Sequence, residues 1–82
     1  MTITILSQSN CPACRLVERT IEQTGLTATV RDVREDPEAE ALLRSIYDAY
    51  RPGRHPSTPV TLIDDHPSFG VDGRRALRDL AA

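Results

Sequence analysis

The chain has 82 residues and a formal net charge of −2, from ten arginines, no lysine and twelve acidic residues. This length suits one domain, which we expect to cover residues 1–82. The nearly balanced charge argues against a nucleic-acid binder, which would carry a basic stripe. No apolar run approaches the roughly 20 residues of a membrane span, and residues 1–6 lack the features of a signal peptide. We therefore expect a cytoplasmic protein that binds neither nucleic acid nor membrane.

The first half of the chain predicts a strand, a helix and a second strand. Thr and Ile alternate over residues 2–6, a period of two that is typical of a strand. Pro12 suits the first position of a helix, and apolar residues then recur at helical spacing up to Gly25. A glycine at that point is typical of a helix C-terminus. The second predicted strand covers residues 28–33.

The second half predicts a helix, a loop, two strands and a last helix, so the element order is βαβαββα. Asp36 is a typical N-cap and Pro37 a typical first residue of a helix. Three prolines and a glycine after residue 51 predict a loop up to Pro59. The remaining predicted elements are a strand over residues 60–63, a turn at Asp64 and Asp65, an edge strand over residues 66–69 and a helix capped by Asp72.

The two cysteines stand together as Cys11-Pro12-Ala13-Cys14. A disulfide that closes so short a loop restricts the unfolded chain by about 2 kcal/mol, against about 4.5 kcal/mol for one spanning the whole sequence. A structural disulfide is therefore disfavoured, as it is in a reducing compartment. Structural zinc needs four ligands, and His55 and His66 do not stand at a zinc-finger spacing. Two unrelated buried thiols are a further alternative, but the context favours a redox dithiol.

That context places Cys11 at the N-terminus of the predicted helix. Unpaired N–H groups and the positive end of the helix dipole stabilise a thiolate there, which lowers a cysteine pKa from about 8.5 toward 7 or below. Arg15 could add a cation that helps to hold this thiolate. Cys14, one helical turn later, is placed to attack a mixed disulfide formed at Cys11. The pattern predicts Cys11 as the nucleophile and Cys14 as the resolving cysteine.

Pro59 is the second informative position, because it stands just before the third predicted strand. In a fold that places a dithiol at a helix start, such a proline can hold a cis bond. The Thr58 backbone would then face outward, and an extended peptide or glutathione could pair with it like an added strand. Pro59 would also block the access of metals to the two sulfurs.

Four stretches carry a family resemblance: Ile3–Leu6 followed by Cys11–Cys14, Asp32–Ala39, Thr58–Val60, and Phe69–Asp72. They resemble the glutaredoxin branch of the thioredoxin-fold superfamily, and most closely the NrdH-type redoxins. The resemblance implies an α/β thioredoxin-like fold, with a four-stranded mixed sheet flanked by three helices. It implies a thiol-disulfide oxidoreductase, an electron carrier in cell redox homeostasis that reduces protein disulfides. We expect such a carrier to be a monomer.

The resemblance also implies the partners of the chain and its substrate-binding residues. NrdH-type redoxins take electrons from thioredoxin reductase, which uses NADPH, and reduce class Ib ribonucleotide reductase. Glutaredoxins take electrons from glutathione instead, and a mycothiol-type redoxin would use another small thiol. On each of these alternatives the chain itself needs no bound cofactor and no metal. The substrate-binding residues that the resemblance implies are Pro12, Thr58, Pro59, Phe69, Gly70 and Asp72.

Some positions depart from the glutaredoxin pattern. Gln8 stands where glutaredoxins usually have a lysine, although Asp72 matches the acidic residue that would hold the amine of glutathione. Phe69 could belong to the core or to an exposed docking surface. The loop over residues 51–57 is longer than in either group, and Arg54 or His55 could bind a carboxylate in the substrate groove.

The sequence is compatible with two other functions. The dithiol could hold an iron–sulfur cluster shared between two chains with glutathione, as in some glutaredoxins. Pro12 and the lack of further cysteines weigh against that alternative. The chain could also be a binding protein of the thioredoxin fold in which the dithiol takes no part.

Overall fold

The computed structural model describes residues 1–82 and has the predicted order of elements. The observed first strand is shifted by one residue from the prediction, and the second is shorter by one residue at each end. The elements are β1 (Ile3–Ser7), α1 (Pro12–Thr24), β2 (Thr29–Asp32), α2 (Pro37–Tyr50), β3 (Val60–Ile63), β4 (His66–Phe69) and α3 (Asp72–Ala81).

The four strands form one mixed sheet in the order β2-β1-β3-β4, with the predicted β4 at an edge. β1 and β2 are parallel because α1 carries the chain back between them. β3 runs antiparallel to β1, and β4 runs antiparallel to β3. In this register Leu6 pairs with Val60, so the end of β1 lies beside the start of β3. The segments after β1 and before β3 therefore meet at the same end of these two central strands.

Helices cover both faces of the sheet, and β1 contributes to the core on each side. Ile3 and Ile5 pack with Val17 of α1 and Leu77 of α3 on one face. Leu6 points to the other face, which α2 covers. Apolar side chains on both faces explain why β1 is the most buried strand, as expected for a central strand. The buried residues on the α2 side are Leu6, Val33, Ala39, Leu43, Ile46, Tyr47 and Val60.

The starts of α2 and α3 compare differently with the prediction. The Asp36 carboxylate accepts hydrogen bonds from the N–H groups of Glu38 and Ala39, at 3.1 and 3.2 Å, which confirms the N-cap of α2. The predicted cap of α3 at Asp72 is wrong. Val71 already has helical dihedral angles and is the N-cap, without a side-chain hydrogen bond. Asp72 lies in the first helical turn, where a negative charge still interacts favourably with the helix dipole.

Gly73 allows α3 to pack closely on β3. It is buried, and a Cβ atom at this position would lie 2.9 Å from the Thr61 Cβ and closer still to the Thr61 hydroxyl oxygen. The Thr61 side chain is itself fully buried, and its hydroxyl has no hydrogen-bond partner. The crossing of α3 over β3 therefore depends on the absence of a side chain at residue 73.

We expect Gly73→Ala to lower the free energy of unfolding by about 1–3 kcal/mol, the usual cost of overpacking a filled core. Urea denaturation followed by circular dichroism measures the change. Arg75→Ala, on the exposed face of the same helix, is the matched control and should change stability by less than about 0.5 kcal/mol. Adding Thr61→Ala should recover part of the loss, because it removes the clashing atoms. An unchanged stability of Gly73→Ala would contradict the close packing.

Asp36 gives a second prediction, on the pH dependence of stability. Its hydrogen bond with Arg31, and then the N–H of Ala39, lower the pKa of the Asp36 carboxyl below 3.8. A carboxyl with a lowered folded-state pKa stabilises the protein above its unfolded-state pKa, and this contribution disappears as the pH falls through the folded-state value. Asp36→Asn keeps the capping geometry but removes the charge.

The Asp36→Asn protein should thus have a lower urea midpoint than the wild type at about pH 7, and the difference should shrink toward about pH 3. The control is Asp48→Asn, on an exposed part of α2, which should show no such trend. A difference that stays constant with pH would show that the charge of Asp36 is not what stabilises the helix start.

Candidate active site

Cys11 and Cys14 form a disulfide at the N-terminus of α1, with 5.2 Å between their Cα atoms. The structure is therefore that of the oxidised dithiol. Cys11 has extended dihedral angles and is the N-cap, and its Sγ accepts a hydrogen bond of 3.2 Å from the Cys14 N–H. A donor aimed at the Cys11 sulfur is the arrangement that stabilises negative charge on that atom.

Local sequence explains why the disulfide lies at this point. Asn10 adopts a left-handed conformation, with φ of 57°, that asparagine tolerates better than most residues. It ends the turn that follows β1. Pro12 then takes the first helical position, where its missing N–H is not needed, and the Arg15 N–H donates the first helical bond to the Cys11 carbonyl. The turn and the proline together start α1 directly at the first cysteine.

The two cysteines differ in burial. Cys11 keeps 8% of its surface exposed, whereas Cys14 has none. Pro12, between them in sequence, is exposed, and so is Leu16 on the next turn of the helix. A partner molecule can therefore reach Cys11 at the rim of the site but not Cys14 beneath it.

The segment before β3 completes the site, as the register of β1 and β3 requires. The Thr58–Pro59 peptide bond is cis. The Thr58 carbonyl oxygen lies 3.8 Å from the Cys11 Sγ, and the Thr58 hydroxyl lies 3.7 Å from the same atom. Pro59 is buried, and Thr58 is half-buried. Residues 47 positions apart thus form one surface around the Cys11 sulfur.

The end of β4 brings the last predicted group of residues to this surface. The Gly70 N–H donates a 3.0 Å hydrogen bond to the Pro59 carbonyl, and Gly70 has a φ of 58°, which favours glycine. Val71 and Asp72 follow and are exposed. Of the six predicted substrate-binding residues, Pro12 directly follows Cys11, and Thr58, Pro59 and Gly70 are joined to the site by these contacts, while Asp72 lies two residues beyond Gly70 and is exposed.

Phe69, the sixth, packs within the protein. Its ring meets Tyr47 edge-on, with 5.3 Å between centroids, and lies 6.4 Å from the ring of Tyr50. The Arg51 guanidinium lies over the Phe69 ring at 4.3 Å. Phe69 is half-buried and belongs to the packing between β4 and α2, so its contacts favour the first of the two sequence alternatives.

A cavity of about 160 Å³ lies beside Gln8. The sequence alone indicates only Arg54 or His55 as residues that could bind a ligand in this part of the protein. Of these two residues of the long loop, His55 lines the cavity and Arg54 does not. The Arg34 side chain donates to the Gln8 amide oxygen at 3.4 Å. The full set of lining residues is Gln8, Val33, Arg34, Glu40, Leu43, Arg44, His55 and Pro56. The spacing of Arg34 and Arg44 in the sequence does not predict that both would line this cavity.

The Arg15 guanidinium takes other partners than the one considered from the sequence. Its Nη2 donates to Ser7 Oγ and to the Gln8 carbonyl, both at 3.0 Å, and to Glu18 Oε2 at 2.9 Å. The prediction that Arg15 could hold the Cys11 thiolate therefore lacks a direct contact. Glu18 carries an opposite charge and sits on the next helical turn, which explains why Arg15 turns toward it.

The sequence profile of the glutaredoxin family matches residues 3–67, a stretch that includes both cysteines and the Thr58–Pro59 bond. The chain belongs to the glutaredoxin family. It is thus a thiol-disulfide oxidoreductase, as the dithiol pattern predicted. No curated protein sequence matches the chain significantly.

Solved structures of other redoxins have the same fold. NrdH-redoxin from Escherichia coli aligns with a TM-score of 0.78 and 26% identity over 98% of this chain and 95% of that one. The dithiolic glutaredoxin 2-C-Grx1 from Trypanosoma brucei brucei gives 0.75 and 26%, over 96% and 78%. The thioredoxin-like protein BC3987 gives 0.74 and 27%, over 93% and 99%. These matches confirm the predicted thioredoxin-like fold and the resemblance to glutaredoxins close to the NrdH type.

Two further observations concern metals and membranes. No three side chains among His, Cys, Asp and Glu come together as a possible set of metal ligands. His55 lies at the cavity and His66 at the start of β4, so neither adds a ligand to the cysteine pair. None of the three helices combines the length and the apolar character needed to cross a bilayer.

Proposed function

We propose that the protein is a dithiol electron carrier for protein disulfides, with Cys11 as the nucleophile and Cys14 as the resolving cysteine. The observation that carries the proposal is the difference between the two sulfurs. Cys11 is partly exposed beside the Thr58 backbone, and its sulfur accepts a hydrogen bond from the Cys14 N–H at the helix start. Cys14 is fully buried. A protein disulfide can approach only the first of them.

The reaction then has two exchange steps. The Cys11 thiolate attacks one sulfur of the partner disulfide, so that a mixed disulfide forms and the second partner sulfur leaves as a thiolate. Cys14 loses its proton and attacks the Cys11 sulfur, which releases the first partner sulfur as a thiolate. The released thiolates take up protons from water. The partner gains two electrons, and the carrier ends in the Cys11–Cys14 disulfide of this structure.

The surface around Pro59 would bind the partner chain. Thr58 presents its backbone next to the Cys11 sulfur, where an extended segment can pair with it as an added strand. Pro12 and Asp72 are exposed, and Gly70, which is hydrogen-bonded to Pro59, has no side chain that could block the approach. Phe69 would act indirectly, because its contacts with α2 hold the end of β4 in place.

For the reductant we propose thioredoxin reductase with NADPH, and for the target a ribonucleotide reductase. The support is the similarity to the NrdH-redoxin of Escherichia coli, which is described as having a thioredoxin-like activity profile. Gln8 also supports this reductant. Its side chain is neutral where glutaredoxins usually have a lysine, and it already accepts a hydrogen bond from Arg34. The carrier would work as a cytoplasmic monomer without a resident cofactor.

One observation favours a second candidate, a small anionic thiol as the reductant. The cavity beside Gln8 is lined by the guanidinium groups of Arg34 and Arg44 and by the imidazole of His55, against the single carboxylate of Glu40. Glu40 accepts a hydrogen bond from Arg44 at 3.2 Å, so Arg34 and His55 keep no carboxylate partner within the cavity. A carboxylate group of glutathione, or an anionic group of another small thiol, would find donors there.

The cysteine roles give the central prediction. Cys11→Ser should abolish the reduction of a protein disulfide, because no nucleophile remains at the rim. Cys14→Ser should accumulate a mixed disulfide with the partner, because the resolving step is lost. The turbidity of reduced insulin measures the loss of disulfide reduction by Cys11→Ser. Non-reducing electrophoresis with mass spectrometry detects the mixed disulfide of Cys14→Ser. Normal turnover by the Cys11→Ser protein would contradict the assignment.

The choice of reductant gives the next prediction. Turnover with thioredoxin reductase and NADPH should exceed turnover with glutathione and glutathione reductase at equal carrier concentration. If the small thiol is the reductant, the order reverses, and Arg34→Ala with His55→Ala should raise the KM for that thiol. Arg54→Ala is the matched control, because its neighbour His55 lines the cavity and Arg54 does not. An equal effect of the control would rule out the cavity as a binding site.

A further inference from the structure

We propose that Glu18 and Arg15 tune the reactivity of the dithiol through opposing charges anchored on Ser7. These three residues form the Ser7–Arg15–Glu18 cluster. The inference rests on the proposed function and concerns the equilibrium between the dithiol and its disulfide. Glu18 makes the carrier more reducing than it would be with Arg15 alone.

The cluster is closely hydrogen-bonded. Ser7 Oγ donates to Glu18 Oε2 at 2.6 Å, and Arg15 Nη2 donates to the same carboxylate oxygen at 2.9 Å and to Ser7 Oγ at 3.0 Å. Ser7 is the last residue of β1 and keeps only 2% of its surface exposed. The Glu18 side chain is 24% exposed, so the carboxylate lies partly within the protein rather than in bulk water.

The position of the cluster relative to the sulfurs gives its charges an effect on them. Arg15 directly follows Cys14, and Glu18 lies four residues after it on α1. Helix residues four apart share a face, with roughly 5–6 Å between their Cβ atoms. Cys14 is fully buried, and Ser7 lies at the end of the central strand. Of the two charged side chains, that of Glu18 is 24% exposed and that of Arg15 is 51% exposed, so salt screens the Glu18 charge less than the Arg15 charge.

Other charged groups on α1 or packed against it are engaged or exposed. Arg74 of α3 donates to the Thr20 hydroxyl at 3.3 Å, and Asp72 at the start of α3 is exposed. Arg19 and Glu22, on the next part of α1, are exposed as well. Only the cluster joins charged side chains of α1 to a buried group of the sheet.

The sign of the effect follows from the charges. A cation beside the dithiol stabilises thiolates and so favours the reduced form, which makes a carrier more oxidising. Glu18 opposes the charge of Arg15 at the same place. Glu18→Gln keeps an oxygen that can accept from Ser7 and Arg15 but removes the negative charge. Arg15 then acts on the sulfurs without compensation.

The test measures the exchange equilibrium with glutathione and the pH profile of Cys11 alkylation. Glu18→Gln should shift the exchange constant about threefold toward the reduced carrier, which corresponds to about 14 mV at 29.6 mV per tenfold change. The midpoint of the alkylation profile should move to lower pH. Arg15→Gln should shift both quantities the opposite way. Glu22→Gln, one turn further along α1 and without an ion pair, is the control and should leave both unchanged.

Opposite shifts in the two charge variants are the result that a purely structural role cannot produce. If Glu18→Gln and Arg15→Gln both lower the melting temperature but leave the exchange constant unchanged, the cluster is a clamp only and the inference is wrong. Equal shifts of the same sign would also overturn it. Wild-type turnover is measured in parallel, and its failure would overturn the proposed function, while the exchange equilibrium would still test the cluster.

Discussion

The antiparallel pairing of β1 with β3 is the constraint on which the site depends. It aligns Leu6 with Val60, so the turn that leads to Cys11 and the segment that ends at Pro59 lie at the same end of these two strands. The contact between the Cys11 sulfur and the Thr58 backbone follows from this register. A slip of one residue would turn the side chains of β3 to the opposite face of the sheet, and the core would be lost.

On this frame the chain builds an asymmetric dithiol. The helix start leaves Cys11 with 8% of its surface exposed and aims an N–H at its sulfur, whereas Cys14 is completely covered. The loop before Thr58 is held at both ends, by the hydrogen bond of 3.1 Å between the Tyr47 and Ser57 hydroxyls and by the stacking of Arg51 on Phe69. These contacts with α2 and β4 explain how a long connection can still deliver Thr58 to the site.

Much of the fold could be predicted because its signals are local. The Thr–Ile alternation of β1, the Asp36–Pro37 start of α2 and Gly25 at the end of α1 each act within a few residues. Asp72 shows where such signals mislead. It has the side chain of a cap, but Gly70 and the bond to the Pro59 carbonyl set the backbone there, and the helix begins one residue earlier than a cap at Asp72 requires.

The sequence by itself determined the order of elements, the dithiol at a helix start and the glutaredoxin pattern around Pro59. Only the tertiary structure decided which sulfur is accessible, that Arg15 turns to Ser7 and Glu18, and that Arg34, Arg44 and His55 share a cavity. The physical reason is range. Backbone preferences depend on near neighbours, whereas long arginine side chains pair with whatever acceptors the packing of strands and helices brings within reach.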